Sequence, residues 1–164
     1  MRNYFLLTSL LLSIVLSGCS LMKGMTSEEK KANERALHEA IEKRDFHIDV
    51  NHIIPGSGIP RTLSSGFTLD IRNENVKSHL PYEGIVTSVP FGGGEGLIFE
   101  SKIEKYESTF DSKGRTNIEF QTKTKEDLYV YRIQIYPEGK TSINVTSNNK
   151  QAISFKGNAV PRRR

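Results

Sequence analysis

The chain contains a single cysteine, and this scarcity already excludes several kinds of chemistry. Cys19 is the only thiol in 164 residues, so no intramolecular disulfide can form. Because that cysteine lies near the amino terminus, the remainder has no thiol for catalysis or for a thiolate metal site. A folded domain must therefore draw its stability from an apolar core.

Long apolar runs are scarce too, and the only one precedes the cysteine. Residues 4–16 form an apolar stretch of thirteen residues. As a helix it would reach only about 20 Å, less than the roughly 30 Å of a bilayer core. Arg2 lies before the run, and Ser17 and Gly18 separate it from Cys19. These features predict a lipoprotein signal that is cleaved before Cys19, with acyl chains on that cysteine as the membrane anchor.

Excess charge is confined to the chain ends. The formal net charge is +4, and Arg2, Arg162, Arg163 and Arg164 account for all of it. The body is therefore near neutral, which argues against nucleic acid as a partner. The terminal arginines form a basic tail that is either solvated or close to anionic headgroups, where each adds about 1 kcal/mol.

A helix is predicted after a short tether. Thr26 and Glu29 have the spacing of a capping box, in which each side chain accepts a hydrogen bond from the other residue's amide. The helix is predicted to run to about Arg44. Its apolar stripe comprises Ala32, Ala36, Leu37, Ala40 and Ile41.

From Asp45 onward the apolar period changes from helical to two, which indicates antiparallel strands with one buried face. The alternation changes phase between Ile103 and Tyr106, which predicts a bulge or a break there. Turn residues separate the later runs, and the last four strands should form a meander. The fold class expected is α+β, with an N-terminal helix and a curved antiparallel sheet of about seven or eight strands. A meander, a half-barrel and a sandwich-like arrangement all fit this pattern. The aromatic side chains expected to face inward are Phe67, Phe99, Phe120, Tyr129, Tyr131 and Phe155.

Three polar residues, Asp45, His47 and Asp49, fall on one face of the first predicted strand. Alternate residues are about 7 Å apart along a strand, so a metal would need a curved strand or a further ligand. The simpler interpretation is that the three polar residues form the solvent-exposed face of the strand, opposite Phe46 and Ile48. We therefore predict no metal site.

A glycine-rich segment between two strand-like runs is the most unusual stretch of the chain. Gly92, Gly93 and Gly94 follow Phe91, and Tyr82 lies a short way before them. Neither a lysine nor a helix follows the glycines, as a phosphate-binding loop requires. One interpretation is a flexible inter-strand loop, and the sharper one is a loop that contacts a ligand or partner. Tyr82, Phe91, Gly92, Gly93 and Gly94 are the candidate contact residues.

Catalytic signatures are absent from the sequence. It contains no Gly-x-Ser-x-Gly and no His-Glu-x-x-His, and its carboxylates do not form a recognisable pair. We expect neither an enzyme nor a cofactor.

Several phrases, taken in order, resemble a known family. They are Arg44-Asp45-Phe46, Leu80-Pro81-Tyr82-x-Gly84, Pro90-Phe91-Gly92-Gly93, Gly96-Leu97-Ile98-Phe99, and residues 149–157. Over about residues 34–161 the chain resembles the Bacteroidetes envelope proteins filed as domain of unknown function 4251. The resemblance implies a one-domain lipoprotein with a leading helix and an antiparallel sheet. It supplies no catalytic or binding residues.

These inferences define an expected organisation and role. Residues 1–18 are the signal, 19–26 the lipidated cysteine and tether, 27–160 one domain, and 161–164 the basic tail. We expect an envelope lipoprotein on the periplasmic face of the outer membrane that binds a protein or glycan partner without catalysis. The alternative is a carrier of a lipid or other apolar ligand within the curved sheet, and an enzyme is the third hypothesis.

Overall fold

A computed structural model describes residues 25–87 and 96–162, and the chain divides between Lys31 and Ala32 into two compact units. Helix α1 (Ser27–Glu42) begins in the described part of the first unit. The amide of Glu29 donates to Thr26 Oγ1 at 3.2 Å, and the amide of Thr26 donates to Glu29 Oε2 at 2.7 Å. This reciprocal pair confirms the predicted capping box.

In the second unit, α1 buries a stripe narrower than the one predicted. Leu37, Ala40 and Ile41 are buried, whereas Ala32 and Ala36 are exposed. A helix with so little apolar surface depends on tertiary packing for its stability. The buried half of α1 is therefore a part of the domain core.

The helix ends at Glu42, two residues before the predicted end at Arg44. Arg44 adopts a left-handed conformation with φ of 51°, and its amide donates to the carbonyl of Ile41 at 3.0 Å. This geometry caps the helix and turns the chain into the first strand.

Eight antiparallel strands follow the helix, and each pairs with the next in sequence. They are β1 (Asp45–Pro55), β2 (Arg61–Arg72), β3 (Asn75–Leu80), β4 (Leu97–Phe110), β5 (Thr116–Lys123), β6 (Leu128–Ile135), β7 (Lys140–Ser147) and β8 (Ile153–Pro161). β8 also pairs with β1, from Phe46 opposite Pro161 to Pro55 opposite Ile153, so the sheet closes into a barrel. The expected helix and curved antiparallel meander are confirmed, and the meander continues to full closure.

Closure depends on a close approach between β8 and β1 at Gly157. A Cβ atom at Gly157 would lie 2.1 Å from the carbonyl oxygen of Asp49 and 3.0 Å from the Cα of Val50. Both are main-chain atoms, so a larger residue would force the two strands apart. The contact lies beside the register shift between Val50 and His52, which bends β1.

β4 contains the predicted interruption. Its register with β5 shifts between Glu104 and Glu107, and Lys105 has a positive φ of 49°. The change of phase between Ile103 and Tyr106 is therefore a bulge, as the sequence indicated.

Aromatic rings fill the barrel interior by packing on one another. Phe120 stacks on Tyr131 with ring centroids 4.9 Å apart, and Phe99 stacks on Tyr129 at 5.2 Å. The Tyr131 hydroxyl donates to Ser78 Oγ at 3.2 Å, and burial raises the pKa of this hydroxyl. A fully buried ring of this size contributes about 1.5–3 kcal/mol, so these stacks form a main part of the core.

Candidate binding cleft at the strap end of the barrel

The two ends of the barrel carry different connections. Because the strands alternate in direction, the turns after β2, β4 and β6 lie at one end, which we call the helix end. The buried part of α1 lies there, with His38 stacked on Phe110 at 4.3 Å and Leu37 against Gly139 of the β6–β7 turn. The connections after β1, β3, β5 and β7 lie at the opposite end.

At that opposite end, residues 81–87 leave β3 and reach the β7–β8 connection. Val86 forms an isolated antiparallel bridge with Lys150, and the amide of Thr87 donates to the carbonyl of Asn149 at 2.9 Å. In a ring of eight strands β7 lies opposite β3, so this segment crosses the end of the barrel. We call residues 81–87 the strap and this end the strap end.

Tyr82 fastens the strap. Its hydroxyl lies 3.0 Å from the carbonyl oxygens of both Ile85 and Gln151, to either of which it can donate. The amide of Gln151 in turn donates to the carbonyl of Ile85 at 3.0 Å. Burial raises the pKa of Tyr82, so the hydroxyl retains its proton and its donor role at neutral pH.

A lysine near the strap holds three connections together. The Lys150 ammonium donates to Tyr129 Oη at 2.5 Å, to Glu126 Oε2 at 3.3 Å and to the carbonyl of Gly96 at 3.4 Å. Only 6% of the Lys150 side chain is exposed. We call this group the lysine clasp, because it joins the β7–β8, β5–β6 and β3–β4 connections.

The clasp keeps a fixed charge state. Burial alone would lower the pKa of Lys150, but the hydrogen bonds to Tyr129 and Glu126 and the negative charge of Glu126 outweigh it, so the pKa is raised. Burial raises the pKa of Tyr129 by more than the neighbouring ammonium lowers it. At neutral pH the clasp therefore contains a lysine cation and an uncharged phenol.

A cleft of about 580 Å³ lies beside the clasp, between β4 and the β5–β6 connection. Phe99 and Tyr129 provide its apolar wall, and the Ser101 hydroxyl donates to the carbonyl of Lys123 at 2.7 Å. The rim is polar and carries charges of both signs. The rim residues with charged side chains are Glu100, Glu104, Lys123, Lys125 and Glu126.

The wall beside the cleft is held firmly, which preorganises its shape. Thr124 Oγ1 accepts the amides of Glu126 and Asp127, both at 3.1 Å. The Asp127 carboxylate accepts the amides of Leu128 at 2.8 Å and Asn149 at 3.1 Å. With apolar rings below and charges above, the cleft suits a ligand that presents an apolar group and several polar ones.

A second polar cluster lies on the outer wall of the barrel. His47 Nδ1 lies 2.8 Å from Asp70 Oδ1 on β2, and His47 Nε2 lies 3.1 Å from Asp49 Oδ1. Arg162 also contacts Asp70, at 3.5 Å. Burial opposes protonation of His47, but the two aspartates outweigh it and raise the pKa. Across residues 25–87 and 96–162, no group of three or more histidine, cysteine, aspartate or glutamate side chains could hold a metal ion.

Of the residues that the sequence singled out for lipidation or contact, only Tyr82 lies in the described part of the chain. Tyr82 lies at the strap end, where it bonds the main chain. Cys19, Phe91, Gly92, Gly93 and Gly94 lie outside the described residues. In the described ranges, no helix has the length and apolar character needed to cross a membrane.

Sequence reasoning named Phe99 and Tyr129 only as inward-facing rings, and it missed the polar residues that join them in the cleft and the clasp. Lys150 belongs to one of the quoted family phrases, and this was the only available signal for it. Glu126 and Ser101 carried none, because their partners are distant in sequence.

The fold and the cleft together define a class, namely a helix-capped, eight-stranded antiparallel barrel with a groove in one wall. The chain belongs to the family described as Domain of unknown function (DUF4251), whose model matches residues 28–159. A crystal structure of a DUF4251 family protein from Bacteroides eggerthii DSM 20697 has a similar fold, with a TM-score of 0.64. It shares 13% sequence identity, and the match covers 80% of this chain and 89% of that chain. No curated protein matches this sequence significantly.

Proposed function

We propose that this chain is a non-enzymatic binding module of the cell envelope, which holds a protein or glycan partner in the cleft beside β4. The observation that carries the proposal is the cleft itself, with an apolar wall at Phe99 and Tyr129 and a charged rim. Fixed walls of this kind reduce the ordering cost of binding.

A lipid anchor at the amino terminus is the second part of the proposal. We propose acylation of Cys19 and a location on the periplasmic face of the outer membrane, on the strength of the signal pattern before that residue. Native mass spectrometry of the chain, purified from its own envelope in mild detergent, tests the anchor. We expect an amino terminus at Cys19 and the added mass of acyl chains, and an unmodified or uncleaved chain would contradict this.

The cleft is tested by photo-crosslinking in the cells that produce the protein. A photoreactive residue at Lys125 lies on the cleft rim, whereas one at Lys156 lies on the outer face of β8 and serves as the matched control. We expect a discrete adduct from position 125 and none from position 156. Equal labelling from both positions, or none from either, would contradict a partner in the cleft.

The carrier alternative receives less support from the interior. Phe120 and Tyr131, two of the rings expected to face inward, are fully buried and stack on each other. Space filled by ring–ring contact is not available to a ligand.

A further inference from the structure

β4 is much longer than β5, one of the two strands that pair with it. β4 contains 14 residues and β5 contains 8. Their pairing begins at Ile103 opposite Thr122, and β5 ends at Lys123. On its other side β4 pairs with β3 from its first residue, Leu97. Among the described residues, no strand pairs with the β5-facing edge of β4 before Ile103, and the cleft lies along that edge.

Two hydrogen bonds show which main-chain groups face the cleft. The amide of Ile103 donates to the carbonyl of Glu74 at the β3 side, and the carbonyl of Lys102 accepts from Thr122 Oγ1 at the β5 side. Successive residues in a strand direct their main-chain groups to opposite edges. The amide and carbonyl groups of Ile98 and Glu100 therefore point into the cleft.

We infer that this edge of β4 accepts an extended peptide segment of a partner protein as an added strand, at the place where β5 stops. The inference rests on the proposed function, since it names the class of partner that occupies the same cleft. An unpaired edge is a template for strand addition, and the main-chain bonds supply affinity while side-chain pockets supply selectivity.

The cleft also indicates the side chains that such a segment would carry. Side chains of neighbouring strands at paired positions point to the same face, so a residue opposite Phe99 would point into the barrel wall. Its side chain would contact the rings of Phe99 and Tyr129, so an apolar or aromatic residue is favoured at this position of the segment. The residues before and after it would face outward beside Ile98 and Glu100.

Two substitutions at one position separate main-chain pairing from side-chain recognition. Glu100→Pro removes an amide that points into the cleft and takes no part in the β3–β4 ladder, so the barrel should still fold. Glu100→Gln keeps the amide and removes the charge. Unchanged hydrogen exchange at the amides of Phe99 and Ser101 serves as the check that β3 and β4 remain paired.

The probe is a proline-free hexapeptide library displayed on phage, selected on the full chain and followed by synthesis of the enriched peptides. We expect peptides that alternate apolar and polar residues and that protect the amides of Ile98 and Glu100 from exchange. Binding should weaken at least about tenfold more in Glu100→Pro than in Glu100→Gln, which removes only the rim charge at the same position. No enrichment over the Glu100→Pro chain, or equal binding by it, would overturn the inference.

Repeating the Lys125 crosslinking in both variants distinguishes failure of this inference from failure of the proposed function. A protein adduct that is lost in Glu100→Pro and kept in Glu100→Gln supports strand addition. An adduct that persists in Glu100→Pro, or one that consists of carbohydrate, rejects strand addition and leaves the cleft a binding site. No adduct in the parent chain rejects both.

Discussion

The two ends of this barrel are closed by different kinds of interaction. At the helix end, the buried stripe of α1 covers the core, and short turns join the strands. At the strap end, hydrogen bonds from Tyr82 and Lys150 join the β3–β4, β5–β6 and β7–β8 connections to one another, and a cleft remains beside them. Burial of a large apolar side chain contributes more free energy than a single hydrogen bond, whose net contribution is about 0.5–1.5 kcal/mol. We therefore propose that the helix end provides most of the stability and that the strap end provides the binding surface.

The largest expected effect is at the helix end. Ile41 is 3% exposed, so Ile41→Ala should lower the free energy of unfolding by about 2–4 kcal/mol through lost burial and a cavity. Urea denaturation measures this change. Glu39→Ala, on the exposed face of the same helix, is the control and should change stability by less than about 0.5 kcal/mol. Equal stability of the two variants would refute the role assigned to α1.

At the strap end, loss of the clasp should destabilise the protein less. Lys150→Met retains the length of the side chain but removes three donated hydrogen bonds, and we expect a loss of about 1–3 kcal/mol. Lys156→Met, on the exposed face of β8, is the matched control. If the comparison of the two ends is right, Lys150→Met should also reduce crosslinking from Lys125, which Ile41→Ala should leave intact at permissive temperature.

Release of the strap should have a smaller and more local effect. Tyr82→Phe removes one hydroxyl and should cost about 0.5–1.5 kcal/mol. Hydrogen exchange should accelerate at the amides of Thr87 and Gln151 and remain slow in β6. Tyr136→Phe removes a hydroxyl that contacts Arg115 at the helix end, so it should leave exchange at Thr87 and Gln151 unchanged. Faster exchange throughout the barrel in Tyr82→Phe would mean that the strap is part of the cooperative core.

Local features of this fold could be predicted from sequence because they depend on neighbouring residues. The capping box at Thr26 and Glu29, the alternation of the strands and the bulge near Lys105 each leave a pattern within a few residues. Closure of the barrel does not, because it depends on Gly157 approaching the main chain of Asp49 across the sequence. Alternation indicates which face of a strand is buried, but it does not indicate that β8 pairs with β1.

The candidate site was less predictable for the same reason. Glu126 and Lys150 lie in different connections, and Ser101 bonds to the carbonyl of Lys123 across two strands. Each is an ordinary polar residue in its own segment. The sequence instead indicated the glycine-rich run, because an unusual composition can be recognised within one segment. The approach of side chains from distant segments cannot.

The smallest expected effect concerns the pH dependence of stability, in which the His47 cluster and the lysine clasp should differ. For His47, on the outer wall, partial burial lowers the pKa, but its contacts with Asp70 and Asp49 outweigh the burial and raise the pKa above the usual 6.5. The stabilisation is therefore fully present below the unfolded pKa of about 6.5 and is lost as the pH rises through the raised folded value. Lys150 remains charged over this range, so the clasp should not respond.

Urea denaturation between pH 5.5 and 8.5 should show the parent chain losing a little stability relative to His47→Gln as the pH rises. His52→Gln, an exposed histidine on the same strand, should run parallel to the parent chain. Asp49 is 67% exposed, so solvent screens its contact with His47, and most of the effect should come from Asp70, which is 19% exposed. An NMR titration of the His47 ring gives the independent check, and a pKa at or below 6.5 would show that the aspartates do not hold its proton. In that case, the proposed link between the aspartate contacts of His47 and the pH dependence of stability would have to be abandoned.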